Sequence, residues 1–324
     1  MKADKLVRMM IKLRLGPMQV HPDGRITFHL LEPAFWLLEL CILVGISAFC
    51  YVRIRSQDSW DAYSIAKLAI TLPIAASMCL SGPLVSLAFI KTEHLDYYKH
   101  GRVGVGHLSR GLVAAALLFG TCYVGNQDLL AKGDAGITCL TLVVMGLGSL
   151  PIMIFVFGML CITEGIKARC LNTVQQPCLS LEDINRLTEH YNRMKVALGP
   201  MSLILVCFNQ VMIIFSLFLI LYSEPLFPLL TTSFIIFVLT GYIFDVDSVY
   251  TALAEVVRQG HDHAHKAHDL RSLLALKDAL AGLEASGPLS GLGFFPIERS
   301  TLLGMMSTTL TYIIILIQLK PMLD

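Results

Sequence analysis

The chain has 324 residues, 55% of them hydrophobic and 15% charged, with a mean hydropathy of +0.67; a soluble domain carries about 25% charged residues. No soluble core hides this much apolar side chain, so lipid is the solvent for much of it, and a soluble globular domain is excluded. The net charge of +1 says little as a sum, but the placement of the charges says a great deal.

The N-terminal run MKADKLVRMMIKLRLGP is basic and has neither an apolar stretch of signal-peptide length nor a small-residue cleavage site. It reads as the start of a cytoplasmic tail over 1–28. Leu6, Met9, Met10 and Leu13 share one side of a helix, so the tail either lies on the inner leaflet or stays solvated. Apolar runs able to cross hydrocarbon, for which about 20 residues suffice, follow at 34–52, 68–90, 111–126, 136–162, 198–222, 226–246 and 300–319. The third is short and is expected to extend inward with the Arg110 guanidinium snorkelling. No series of ten-residue alternating segments occurs, which excludes a β-barrel. The predicted fold class is therefore all-α, a polytopic membrane protein of seven transmembrane helices.

Between the spans, two segments are amphipathic with a period of 3.6 residues. Leu181, Ile184, Leu187, Tyr191, Met194 and Leu198 recur at helical spacing, as do Leu273, Leu276, Leu280 and Leu283. Such helices either pack into a bundle below the membrane or lie flat on the leaflet; the bundle is the arrangement expected here. The stretch 285–298, ASGPLSGLGFFPIE, breaks the second helix with Gly and Pro. A new helix is predicted from Ser300, its cap. The predicted organisation is a tail over 1–28, a six-helix bundle over 29–246, cytoplasmic anchor helices over 247–299, and a last span with an external terminus over 300–324.

Charge sets the orientation. The tail and segments 91–110, 163–197 and 247–299 carry 20 Lys and Arg, and the alternate connections carry 5. The positive-inside rule places the first set in the cytoplasm and the C-terminus outside. An external N-terminus would suit a G-protein-coupled receptor. That reading is the poorest alternative, since no D-R-Y-like triplet ends span three and no N-P-x-x-Y run lies in span seven.

Few residues suggest chemistry. His261, His263, His265 and His268 form a cluster with Asp262 and Asp269, a spacing that can hold zinc on a helix. A solvated joint between helices fits the same residues better, and a metal or small-solute transporter stands as the alternative function. Glu39, near the middle of span one, marks a functional candidate, because intramembrane carboxylates are costly; Asp245 and Asp247 end span six within reach of water. The nine cysteines fall mostly inside spans as apolar fillers, without metal-type spacing. Cys122 and Cys139 sit near one end of adjacent spans and are expected to stay unbridged. No Gly-rich phosphate loop, H-E-x-x-H or nucleophile elbow is present, so no enzyme activity, cofactor or nucleic-acid partner is expected.

The last span differs from the others. Ser300 to Thr309 is small and polar along one side, and Gln318 is flanked by Ile315 and Leu319. On physics alone Gln318 is an interfacial amide on an ordinary span. Four copies around an axis would make it a ring in a wet pore, with Ile315 and Leu319 as apolar collars that gate by dewetting.

The run Gly293-Phe294-Phe295-Pro296-Ile297-Glu298-Arg299-Ser300, followed by T-Y-I-I-I-L-I-Q-L, resembles the signature of insect gustatory receptors: Thr-Tyr, five apolar residues, Gln and Phe. Thr311, Tyr312 and Gln318 match it, and Leu319 stands where the family has Phe, similar to the odorant co-receptor branch. The resemblance implies a ligand-gated, non-selective cation channel in the plasma membrane, a homotetramer or heterotetramer. The last span would line the pore at Ile315, Gln318 and Leu319, and segments 181–198 and 249–290 would form a central anchor. A small-molecule ligand would enter from outside among spans two to six, where Lys67, Thr71, Tyr123, Gln210, Thr232 and Ser233 are candidates.

Overall fold

The computed structural model describes residues 18–20, 26–28, 105–125, 127, 159–160, 162–176, 179–222, 226–264 and 270–323, with isolated helical positions between 37 and 72. The expected spans at 34–52, 68–90 and 136–162 lie largely outside the described residues. Strands β1 (Met18–Val20) and β2 (Ile26–Phe28) pair antiparallel, Met18 opposite Phe28 and Val20 opposite Ile26. The sequence between them contains Pro22, Asp23 and Gly24, all turn formers. This short ribbon is an addition to an otherwise helical fold; three-residue strands are too short to show a periodic signal.

The helices are α1 (Val105–Gly125), α2 (Leu181–Tyr222), α3 (Leu226–Ala264), α4 (Leu270–Ala285) and α5 (Arg299–Leu323), with a further helical stretch over 162–174. Among the described residues, two helices are long and apolar enough to cross a membrane: Leu181–Ile220, whose apolar 18-residue window has mean hydropathy 2.6, and Leu226–Asp262, whose window has 2.0. Each runs from an apolar stretch into an amphipathic one without a break. In α2 the continuity survives Pro200, which lacks the N–H for a bond to the carbonyl four residues back. Ser180 starts α2: its hydroxyl accepts the Asp183 N–H at 3.1 Å and donates to the Asp183 carboxylate at 2.6 Å. Glu182 and Asp183 complement the helix dipole in that first turn.

The amphipathic parts of α2, α3 and α4 close into a basal bundle. Its core includes Ile184, Tyr191, Met194 and Leu198 from α2, Val249, Leu253 and Val256 from α3, and Leu280 and Leu283 from α4. Full burial of each such side chain contributes roughly 1.5–3 kcal/mol. Gly260 permits the closest approach, since a Cβ there would lie 2.5 Å from Leu280 Cδ2.

A hairpin joins α4 to α5. Ser290 and Pro296 form a β-bridge, the Ile297 N–H donates to the Leu289 carbonyl at 2.7 Å, and Gly293 takes a left-handed turn position at φ 82°. The α2 helix pins its start: the Tyr191 hydroxyl donates to the Gly287 carbonyl at 2.9 Å, and Lys195 Nζ donates to that of Ser286. Burial pushes the Tyr191 phenol above its ordinary pKa, helped by Tyr250 and Cys170, and pulls the Lys195 ammonium below its own.

A second core lies above the base, made by Ala114 and Leu118 of α1, Met212, Ile213 and Leu219 of α2, Phe227, Phe234 and Ile235 of α3, and Ile70. At its lower edge Arg110, a third exposed, also has a protein partner. Its Nη1 and Nη2 donate to the Asp245 carboxylate at 3.1–3.2 Å, so α1 is tied to α3 by a bidentate ion pair. Arg110 precedes one apolar run and Asp245 ends another, so each charge finds its counter-charge on the neighbouring helix.

Candidate functional site on the last helix

One stripe of α5 packs on the rest of the molecule and the remainder does not. Thr301, Leu302, Met305, Thr309 and Ile313 are partly buried, at helical spacing, and Leu302 and Met305 join the basal core. Ser300 is not the cap that the sequence suggests. It lies inside the first turn and donates to Glu298 Oε1 at 2.6 Å, because the preceding hairpin already fixes the start of the helix.

Two polar seams hold α5. At its foot, Arg299 Nε meets Asp247 Oδ2 at 2.8 Å, and the guanidinium lies 4.9 Å from the Phe244 ring centroid. Asp247 therefore has a protein partner at the membrane boundary. Higher up, Gln210 Nε2 donates to Thr309 Oγ1 at 2.9 Å and to the Met305 carbonyl at 3.4 Å. An interhelical hydrogen bond of this kind in lipid is worth about 0.6 kcal/mol, with values up to about 1.7.

The uncovered face carries Gly304, Thr308, Thr311, Ile315 and Gln318, all exposed and spaced four, three, four and three residues apart. These positions superpose along one side of a helix. Two hydroxyls on this side turn back to their own helix, Thr308 to the Gly304 carbonyl at 2.9 Å and Thr311 to that of Ser307 at 3.0 Å. Tyr312 and Gln318 of the motif are exposed, and Ile315 is 42% exposed. Leu319 belongs to the helix, and its side chain lies outside the described residues.

The candidate ligand residues separate. Lys67 and Thr71 lie outside the described residues. Tyr123 is exposed on α1, Ser233 is exposed on α3, and the Gln210 amide faces α5. Among the described residues the Thr232 hydroxyl is enclosed without a hydrogen-bond partner, as are those of Thr121 and Ser216, both fully buried residues. Neighbouring Thr231 shows the usual alternative, donating to the Phe227 carbonyl at 2.9 Å. Nothing in the sequence distinguishes the bonded hydroxyl from the unbonded ones.

Of the histidines, His261 is partly buried at the end of α3, His263 has only its backbone described, and His265 and His268 lie outside the described residues. Among the described residues no three metal-ligating side chains gather. Glu39 and Cys139, and the side chain of Cys122, also lie outside.

Long helices that run from an apolar bundle into a packed base, with a hairpin leading to a last apolar helix, define a multi-pass helical membrane protein. No family model and no curated protein matches the chain. Among solved structures it is similar to the insect olfactory receptor OR5 from Machilis hrabei, with a TM-score of 0.62 and 14% identity over 98% of this chain and 99% of that one. It is also similar to the same receptor in complex with eugenol, with a TM-score of 0.59 and 16% identity over 98% and 97%. The fold is thus similar to that of this olfactory receptor along the whole chain.

Proposed function

We propose that the chain is a chemoreceptor acting as a ligand-gated, non-selective cation channel of the plasma membrane, with four subunits placing α5 around a common axis. The observation that carries this reading is the uncovered face of α5. It aligns Gly304, Thr308, Thr311, Ile315 and Gln318 away from the packed stripe. A glutamine on such a face is costly in hydrocarbon and inexpensive in a wet pore. The whole-length likeness to an olfactory receptor, one structure of which holds eugenol, supports the receptor part.

In this reading the chain spans the membrane seven times, with its N-terminus inside and its C-terminus outside, as the 20-to-5 division of basic residues supports. A small molecule enters among spans two to six, near Tyr123, Thr232 and Ser233, with Lys67 and Thr71 from span two. Its binding favours a state in which α5 moves outward, so the Ile315 and Leu319 collars widen and wet. The Gln210–Thr309 bond lies between the ligand-side helices and the pore helix and has to adjust in that movement.

Whole-cell recording with a panel of small volatile molecules tests the proposal. Ligand-evoked cation current is expected, and Gln318→Glu should raise block by divalent cations. A conducting Gln318→Ala channel with unchanged permeability ratios would remove Gln318 from the pathway.

A further inference from the structure

A narrow cleft opens between α1, α2, α3 and the helical stretch that begins near residue 159. It lies where the basal core meets the upper one, since Met159 and Tyr242 belong to the first and Ala114 to the second. Met159, Leu160, Leu205, Phe237 and Val238 make its wall apolar, and Arg110 and Asp245 stand at its polar end.

The polar groups there are unequally satisfied. The Thr163 hydroxyl donates to the Met159 carbonyl at 3.0 Å, and the Tyr242 hydroxyl pairs with Ser202. Arg110 has five N–H donors. Among the described residues its three hydrogen bonds go to the single Asp245 carboxylate, two from Nη1 and one from Nη2, which leaves Nε–H and one Nη2 hydrogen for another acceptor. Gly241 lets the guanidinium lie along α3, since a Cβ there would stand 3.4 Å from Arg110 Nη1. The Arg110 side chain is 32% exposed, so the spare donors are reachable.

Arg110 precedes the apolar run 111–126, and Asp245 ends the run 226–246. Donors at that depth, beside an apolar cleft, meet the headgroup and ester region of a leaflet, where a guanidinium hydrogen-bonds phosphate and carboxylate oxygens. We propose that the cleft binds one acidic amphiphile, its anionic oxygens on Arg110 and its alkyl chain along Met159, Leu205, Phe237 and Val238. A membrane phospholipid and a free fatty acid share this chemistry. The site is independent of whether α5 lines a pore.

The full chain in detergent, titrated with dioleoylphosphatidylglycerol, dioleoylphosphatidylcholine, oleate or inorganic phosphate, tests this by native mass spectrometry and by the thermal midpoint. One tightly retained phosphatidylglycerol is expected, with a higher midpoint than phosphatidylcholine gives. Retention of oleate as strong as that of phosphatidylglycerol would identify the fatty acid as the occupant class. Retention should fall about tenfold in Arg110→Gln/Asp245→Asn, which keeps a neutral hydrogen-bonded pair, and in Val238→Trp, which fills the cleft and keeps the ion pair. Unchanged retention in either folded variant would overturn the proposal. On the unaltered chain, so would no response to any amphiphile, or an equal response to inorganic phosphate, which marks an adventitious ion only.

Discussion

In the basal bundle Tyr191, Leu198, Val249 and Leu280 are almost wholly enclosed, whereas on α5 Leu303, Met306, Leu310 and Ile314 are each more than half exposed. The base is held by apolar burial shared among α2, α3, α4 and the helical stretch over 162–174. The last helix rests on one narrow stripe and two polar seams. A close-packed region of the first kind resists displacement, while a helix with few enclosed contacts belongs to the low-stability end of a structure, from which moving elements are drawn. In the proposed channel this contrast corresponds to a rigid base and a moving α5.

Leu280→Ala should break the rigid side of this contrast. Truncation opens a cavity opposite Gly260 and should cost about 2–5 kcal/mol, read as a large fall in the thermal midpoint of the detergent-purified protein. Tyr191→Phe removes the bond to the Gly287 carbonyl and should cost about 1 kcal/mol, measured in the same way. A midpoint loss as large as that for Leu280→Ala would show that the hairpin, and not the core, carries the base.

On the mobile side, Gln210→Leu and Thr309→Val should each shift ligand potency about threefold, with a coupling near 0.6 kcal/mol in the double-mutant cycle. Additive shifts would mean that the seam does not respond to gating. The smallest effect is expected at Glu255, a surface carboxylate that accepts from Arg258 at 2.6 and 2.9 Å and from Gln259 at 2.8 Å. These bonds, first those from Arg258, lower its pKa to about 2 from an ordinary 4.5. Its folded-state pKa is depressed, so the contribution is complete above pH 4.5 and is lost as the pH falls toward 2. Glu255→Gln should therefore lower the midpoint slightly at pH 7 and not at pH 2, by less than Tyr191→Phe at either pH.

The sequence makes the base legible because its signal is local. Of the positions read from periodicity, Ile184, Leu187, Tyr191, Met194 and Leu198 are buried on α2, and Leu276, Leu280 and Leu283 on α4. Leu181, in the first turn of α2, is exposed, because the pattern starts one turn before the packing does. The seams were not legible in this way. Arg110 and Asp245 are separated by 135 residues, and Gln210 and Thr309 by 99. A charge at the end of an apolar run signals that a partner exists without naming it. The face of α5 falls between these cases: the spacing of Thr311, Ile315 and Gln318 is visible in the sequence, but which side stays uncovered depends on where Leu302 and Met305 find the base.

Cysteine scanning along α5 in a conducting channel tests the central assignment most directly. A charged, water-soluble methanethiosulfonate should alter current through channels with cysteine at Gly304, Thr308, Thr311, Ile315 or Gln318, and leave those with cysteine at Leu302, Met305, Thr309 or Ile313 unmodified. Modification of the second set with protection of the first would contradict the assignment of this face to the ion pathway.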